Sequence, residues 1–433
     1  MKKAVYNFSV GLLILGMLSC AAPPLPTPPI ARAEVAQSDK PRNTSPDVSS
    51  EELAELVSAN TTFALDLYHL LSAEKAANLF YSPYSISVAL AMTYAGARGE
   101  TEKQMANALH FSLSQERLHP TFNALDQYLT SLGQQSQESE ESTPFRLQIA
   151  NALWGQQGFE FLTDFLDTLA TNYGAGLRLV DFNRDPEAAR RLINEWVSEQ
   201  TEGKIKDLIP AGAIDPLTRL VLTNAIYFNA AWLHPFLKES TVEEPFTLLN
   251  GEKVNVPMMK LTKSLRYAEG EDFQLVSLPY QGGNLEMVVI LPAAGQFEAF
   301  RDKFTPEWLS QALNARQAQM VKLSMPKFKV ESDFSLVNAL SDLGMPIAFQ
   351  PDGADFSGMD GKRDLFIGEV LHKAYINVDE AGTEAAAATA VIMELTAAMP
   401  AQPLTLTVDR PFIFLIREQQ NGAILFVGQV VQP

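Results

Sequence analysis

The stretch Asp379-Glu380-Ala381-Gly382-Thr383-Glu384-Ala385-Ala386-Ala387-Ala388-Thr389-Ala390-Val391 constrains this chain more than any other. It lies between an apolar-alternating run that ends at Val378 and a strand-like run that begins near Leu404. Its alanines favour helix by propensity. Its place, however, is that of a long connection between two strands, a length that is uncommon unless the segment is functional or disordered. Parity adds a second pattern. One alternate set reads Thr383, Ala385, Ala387, Thr389, Val391, Met393, Leu395; the other reads Glu384, Ala386, Ala388, Ala390, Ile392, Glu394. Successive strand residues face opposite ways, so as a strand this segment has one face free of charge and another carrying both glutamates. An alanine-rich surface loop or a short exposed helix fits the same residues but has no need of that division. A segment able to enter a sheet does.

The chain has 433 residues, room for one large domain or two to three ordinary ones. With 33 basic against 51 acidic residues its formal net charge is -18. That excludes nucleic acid, heparin-like polyanions and acidic membrane surfaces as principal partners, because those require clustered Lys and Arg. The one cysteine, Cys20, rules out an internal disulfide. Its surroundings account for it. Lys2 and Lys3 make a basic start, Val10 to Leu18 an apolar run too short to span a membrane, and Ser19-Cys20 a small residue followed by cysteine. Residues 1–19 therefore read as a secretory signal peptide. The ending Met17-Leu18-Ser19-Cys20 resembles a bacterial lipoprotein box, in which Cys20 is lipidated and becomes the mature N-terminus; ordinary secretion is the alternative. Residues 20–50, with Pro23, Pro24, Pro26, Pro28, Pro29, Pro41 and Pro46, read as an extended proline-rich linker. The expected location is thus the cell envelope, periplasmic or at the surface, or the extracellular medium.

From Glu51 onward the pattern is that of a folded domain. Leu53, Leu56, Val57, Phe63, Ala64, Leu67, Leu70 and Leu71 recur at helical spacing. Ser82-Pro83 suits a helix start, and Tyr84 to Ala95 is apolar nearly all round, as a buried helix must be. Thr101-Glu102-Lys103-Gln104 resembles a capping box, and Gln134 to Ser142 an exposed loop. Strand runs then dominate, without regular βα alternation, which predicts an α+β domain over 51–433 with antiparallel or mixed sheets. Catalytic motifs are missing: no H-E-x-x-H, no G-x-S-x-G, no Walker-type loop and no G-x-G-x-x-G after a strand. His69, His110, His119, His234 and His372 are scattered without metal-ligand spacing, so neither a cofactor nor a metal is expected. A hydrolase site assembled from distant segments has no motif to support it.

Five segments, in order, resemble the serpin family of protease inhibitors. They are Asn78-Leu79-Phe80-Tyr81-Ser82-Pro83-Tyr84-Ser85-Ile86; Leu222-Thr223-Asn224-Ala225-Ile226-Tyr227-Phe228-Asn229-Ala230-Ala231-Trp232; His372-Lys373-Ala374 with Val378 to Ala386; Val408-Asp409-Arg410-Pro411-Phe412-Ile413-Phe414; and Leu425-Phe426-Val427-Gly428-Gln429-Val430. The resemblance implies three β-sheets, about nine helices and an exposed reactive loop. It implies a monomer that is not an enzyme, whose partner is a serine protease held as a covalent acyl-enzyme while the cleaved loop enters the main sheet. Membrane contact is expected only through a lipid at Cys20. By the same resemblance Glu380, Gly382, Thr383, Glu384, Ala385, Ala386, Ala387 and Ala388 form the loop hinge. Ser82, Ser85, Asn224 and His372 match a polar cluster under the main sheet that controls its opening, and Trp232 marks the place where the loop starts to enter. Family spacing puts the cut bond after Thr396, with Ala397 the next candidate. Threonine among small neighbours points to elastase-like or subtilisin-like targets. A non-inhibitory member acting as a binding protein is the other reading, although such hinges tend to carry bulky, charged or proline residues and this one does not.

Overall fold

Helices crowd the first half of the chain and strands the second, and local signals set many of the boundaries. This computed structural model describes residues 33–74, 77–135, 146–383 and 402–433, and residues 33–433 belong to one unit. In chain order the elements begin with β1 (Glu34–Ala36), α1 (Ser50–Glu74), β2 (Leu79–Tyr81), α2 (Pro83–Tyr94), α3 (Gly99–Ala108) and α4 (Gln115–Gln135). β3 (Arg146–Gln156), α5 (Thr163–Tyr173), β4 (Leu177–Val180) and α6 (Pro186–Gln200) lead to β5 (Leu220–Ala231). Then come β6 (Val242–Thr247), β7 (Lys253–Glu269), β8 (Phe273–Pro279), β9 (Leu285–Pro292), α7 (Phe297–Arg301) and α8 (Pro306–Asn314). The chain continues through β10 (Gln317–Pro326), β11 (Phe328–Ser335), α9 (Val337–Asp342), α10 (Ser357–Asp360) and β12 (Ile367–Val378). It ends with β13 (Gly382–Thr383), β14 (Leu404–Thr407), β15 (Phe412–Glu418) and β16 (Ile424–Val430).

Ser82 caps α2 as its position suggests, accepting from the Ser85 amide at 3.2 Å with Pro83 in the first turn. Every residue of α2 except Val88 is buried. The Thr101 segment behaves differently. α3 starts at Gly99 behind an extended Arg98, and the Thr101 hydroxyl accepts from the Asp355 amide at 2.8 Å instead of capping its own helix. A reciprocal capping box does exist at Ser49 and Glu52, whose side chains bond each other's amides at the head of α1.

The strands form two hydrogen-bonded ladders among the described residues. The main sheet runs β1-β4-β3-β5-β13-β12-β11, with β5 and β12 also paired directly; the other runs β14-β10-β7-β8-β9-β15-β16-β2, with β6 added on β7. The α+β class holds, but the second and third sheets expected separately are one ladder, because the 17-residue β7 pairs with β6 along its first part, β10 along its middle and β8 at its end. The proline-rich linker also departs from expectation. Glu34–Ala36 pair antiparallel with Leu177–Leu179 as the edge strand of the main sheet, and Arg42 reaches Asn123 at 2.8 Å and Asp126 at 2.6 Å. The prolines fall outside those three residues, so nothing prevents their pairing. Residues 1–32, including Cys20, and the run 136–145 lie outside the described residues.

One face of the main sheet meets α2 and the second sheet in the large core. The other face carries a smaller core in which Trp154, Ile193, Val197, Ile205, Ile209, Val221, Ala225 and Leu371 bury together beneath α6 and the segment after it. Arg178 lies 4.4 Å over the Trp196 ring and ties α6 to the sheet edge.

Candidate functional site

β5 and β12 lie side by side in parallel from Leu220 and Ile367 up to Tyr227 and Tyr375. Above that point they part, and β13 fills the gap. Gly382 pairs with Ala231 and Thr383 with Ala230 on one side, and Thr383 pairs with Val378 on the other. The chain thus reverses directly after β12 and places the first residues of the alanine-rich segment inside the sheet. Glycine is required at 382, since a Cβ there would lie 2.2 Å from Ala230 O, which is backbone and cannot yield.

The reversal is built by named groups. Asp379 Oδ1 accepts from the Ala381 amide at 2.8 Å and the Gly382 amide at 3.3 Å, an Asx-type turn. Trp232 donates its amide to Ala381 O at 2.9 Å and its indole Nε1–H to Asp379 O at 3.0 Å. Glu380, expected in the hinge, is an anchor: 5% exposed, it accepts from Lys327 Nζ at 2.9 Å and from the Thr241 hydroxyl at 2.8 Å, while its carbonyl takes the Phe236 amide at 2.9 Å. Burial works against its charge, but Lys327, its own amide and Thr241 outweigh burial and hold the carboxyl below its ordinary value. Thr383 is fully buried, with Oγ1 2.8 Å from the Tyr280 hydroxyl. Glu384, Ala385, Ala386, Ala387, Ala388, Thr396 and Ala397 lie outside the described residues.

Midway down the β5–β12 seam the four polar residues singled out in the sequence come together. His372 and Asn224 are opposite each other and hydrogen-bonded through Nδ1 and Oδ1. The Ser82 amide donates to His372 Nε2 at 3.2 Å. A backbone N–H can only donate, so Nε2 is the bare nitrogen and Nδ1–H donates to Asn224. Asn224 Nδ2 then donates to Ser85 Oγ and to Asn151 Oδ1, each at 2.6 Å. Desolvation pushes the His372 pKa down to about 3, so it stays neutral. Asn151 completes the cluster and was not anticipated; an asparagine in a strand gives no sign of its partners. On the outer face Lys373 Nζ of β12 donates to Lys206 O, in the segment after α6, at 3.2 Å. The arrangement is a closed seam with a strand already started at its open end.

The profile of a family described as serpin (serine protease inhibitor) matches residues 58–433. The human leukocyte elastase inhibitor is 39% identical over 391 residues, covering 88% of this chain and 100% of that protein. An uncharacterised serpin-like protein of Thermococcus kodakarensis is 40% identical over 379 residues, covering 87% of this chain and 86% of its own length. Among solved structures, the thermophilic serpin tengpin in its native state superposes with a TM-score of 0.81 at 31% identity, covering 93% of this chain and 100% of that one. Uncleaved ovalbumin gives 0.76 at 26% identity, covering 88% and 100%.

Proposed function

Because this chain belongs to the serpin family, we propose that it is an irreversible, suicide-substrate inhibitor of serine or cysteine endopeptidases, with an elastase-like or subtilisin-like enzyme as its target. The observation that carries this reading is Thr383, seated at the head of a seam that can accept the residues after it. The relatives named for inhibiting leukocyte elastase agree with a threonine and alanine cleavage site.

In this reading the protease serine attacks the Thr396 carbonyl, the Ala397 amine leaves, and Thr396 is held as an ester. The freed segment then zips down the seam. Continuing the Gly382–Ala231 and Thr383–Ala230 pairing one residue at a time brings Ala385 to Phe228, Ala387 to Ile226, Thr389 to Asn224 and Val391 to Leu222, all on the core side. Continuing the Thr383–Val378 pairing brings the same Thr389 to His372. Its hydroxyl thus arrives between the two residues whose bond closes the seam. On the other parity Ala388 meets Ala225 and Ile392 meets Val221, under α6 and not in water. Along β5 the glutamates come to the half-buried positions, Glu384 at Asn229 and Glu394 beside Arg219. The charge-free and glutamate-bearing faces read from the sequence therefore fit this seam, with the outer one partly covered. Each inserted residue replaces one ladder edge by two, a gain of order 1 kcal/mol per backbone hydrogen bond. A strand from Thr383 to Thr396 reaches about 46 Å at roughly 3.3 Å per residue, enough to carry a bound protease the length of a domain.

Export through residues 1–19 and lipidation at Cys20 belong to the same proposal. A lipid there would tether the domain through residues 21–32, because β1 fastens the chain to the sheet from Glu34. Mass spectrometry of the mature N-terminus tests this, a diacylated Cys20 supporting it and an unmodified or uncleaved terminus refuting it. For the inhibitory function the test is incubation with pancreatic-type elastase and subtilisin. The expected products are a complex stable to SDS and a chain cut near Thr396. Cleavage without complex, across a panel of serine and cysteine proteases, would overturn the reading.

A further inference from the structure

We propose that Tyr280 is a positioning residue for loop insertion: its hydroxyl captures the Thr383 side chain and holds the first inserted residue in strand register. The inference rests on the inhibitor reading above. Tyr280 follows β8, in the second sheet, yet its hydroxyl reaches 2.8 Å from Thr383 Oγ1 in the main sheet. Both side chains are buried, Tyr280 at 1% exposure and Thr383 at 0%. Among the described residues neither hydroxyl has another side-chain partner, so one donates to the other and each finds its side-chain partner there.

The ring cannot follow Thr383 if the loop moves, because it is clamped. Trp232 stacks on it at 4.6 Å and 13°, and Phe228 meets it edge-on at 5.2 Å. Its amide bonds Leu285 O and its carbonyl takes the Gly283 amide, each at 3.0 Å. Trp232 in turn holds Asp379 O through its indole N–H. The Trp232–Tyr280 stack therefore grips both arms of the reversal, Asp379 on the outgoing arm and Thr383 on the returning one. Nucleating a new strand is the unfavourable step of zipping, since residues are fixed before their neighbours reward them. A residue already fixed in register removes that step. After the loop is cut, insertion competes with hydrolysis of the ester, so the catch biases the outcome toward the trapped complex.

Tyr280→Phe removes the hydroxyl and keeps the ring stack. The moles of inhibitor consumed per mole of subtilisin trapped should rise about five-fold, the factor for one buried neutral hydrogen bond, while kcat/KM for loop cleavage stays unchanged. Thr383→Val should give the same rise, the double variant Tyr280→Phe/Thr383→Val no more than either alone, and Thr383→Ser the wild-type value. Wild-type stoichiometry in Tyr280→Phe, or additive effects in the double variant, overturns the proposal. Hydrogen exchange separates this from the reading it rests on. If the wild type traps no protease at all, the inhibitor reading fails, and faster exchange of the Ala381–Thr383 amides in Tyr280→Phe still supports the catch. Unchanged exchange there refutes it.

Discussion

Lys327 Nζ lies 2.9 Å from Glu380 Oε2, and this contact joins the link between β10 and β11 to the turn that launches β13. The two side chains are unequally buried, Glu380 at 6% exposure and Lys327 at 37%. Solvent reaches the lysine, so the pair falls between the weak exposed pairs and the strong buried ones, about 1–2 kcal/mol of coupling. Glu380→Ala should lower the urea midpoint, and should cost about 1–2 kcal/mol less when Lys327→Ala is already present. Strict additivity in that cycle would remove the ion pair from the account of the loop root.

Acid should weaken the native fold through its buried histidines. His372 and His119 are buried and neutral, their pKa values pushed by desolvation down to about 3 and about 4. In the unfolded chain each titrates near 6.5, so between that value and the folded one the unfolded state binds more protons and stability falls as pH falls. At pH 5 the loss is about 2 kcal/mol for each histidine. Urea unfolding at pH 7.5 and 5.0 measures it. Replacing His372 with Gln should shrink the pH dependence by roughly half, and an unaltered dependence in that variant would place the effect elsewhere.

Much of the fold was legible because its signals are local. Ser82-Pro83 specifies a capped helix wherever it sits, and the all-round apolarity of Tyr84 to Ala95 demands burial. The polar cluster was legible through resemblance, residue by residue, and the structure brings all four together. What stayed hidden depends on pairing. Glu34–Ala36 look like part of a proline-rich tail until Leu177–Leu179 offer an edge. In the sequence Tyr280 is merely the last residue of a strand run from Gln274, and only the approach of the second sheet to the β5–β12 gap gives its hydroxyl a partner. Thr101 shows the converse error: the capping pattern is present, but helix α3 starts two residues earlier and Asp355 uses the hydroxyl.

The register makes a prediction about Thr389 that the native fold alone would not. If the loop inserts as proposed, its hydroxyl should take a place between Asn224 and His372, whose mutual bond would have to break to admit it. Thr389→Val would leave a buried donor or acceptor there without a partner, costing about 1–3 kcal/mol. Thermal scans before and after loop cleavage should therefore show a larger loss in the cleaved form than in the native one. Equal losses would mean that Thr389 does not reach the seam's centre.

Thr383→Arg tests the seat most severely. The gap at Thr383 is bounded by the Ala230 and Val378 positions and closed below by Tyr280, with no exposure to solvent. An arginine cannot place its charge there without a partner, and burying it unpaired costs several kcal/mol. The side chain must therefore stay outside, and the seated residue is expelled. The rest of the fold does not depend on that position, because β5 and β12 remain paired below it from Tyr227 and Tyr375 downward. The variant should fold, be cut near Thr396 as readily as wild type, and release active protease instead of trapping it. Gel analysis for the SDS-stable band, alongside residual protease activity, reads the outcome. An arginine variant that traps protease as well as wild type would mean that insertion does not begin at Thr383.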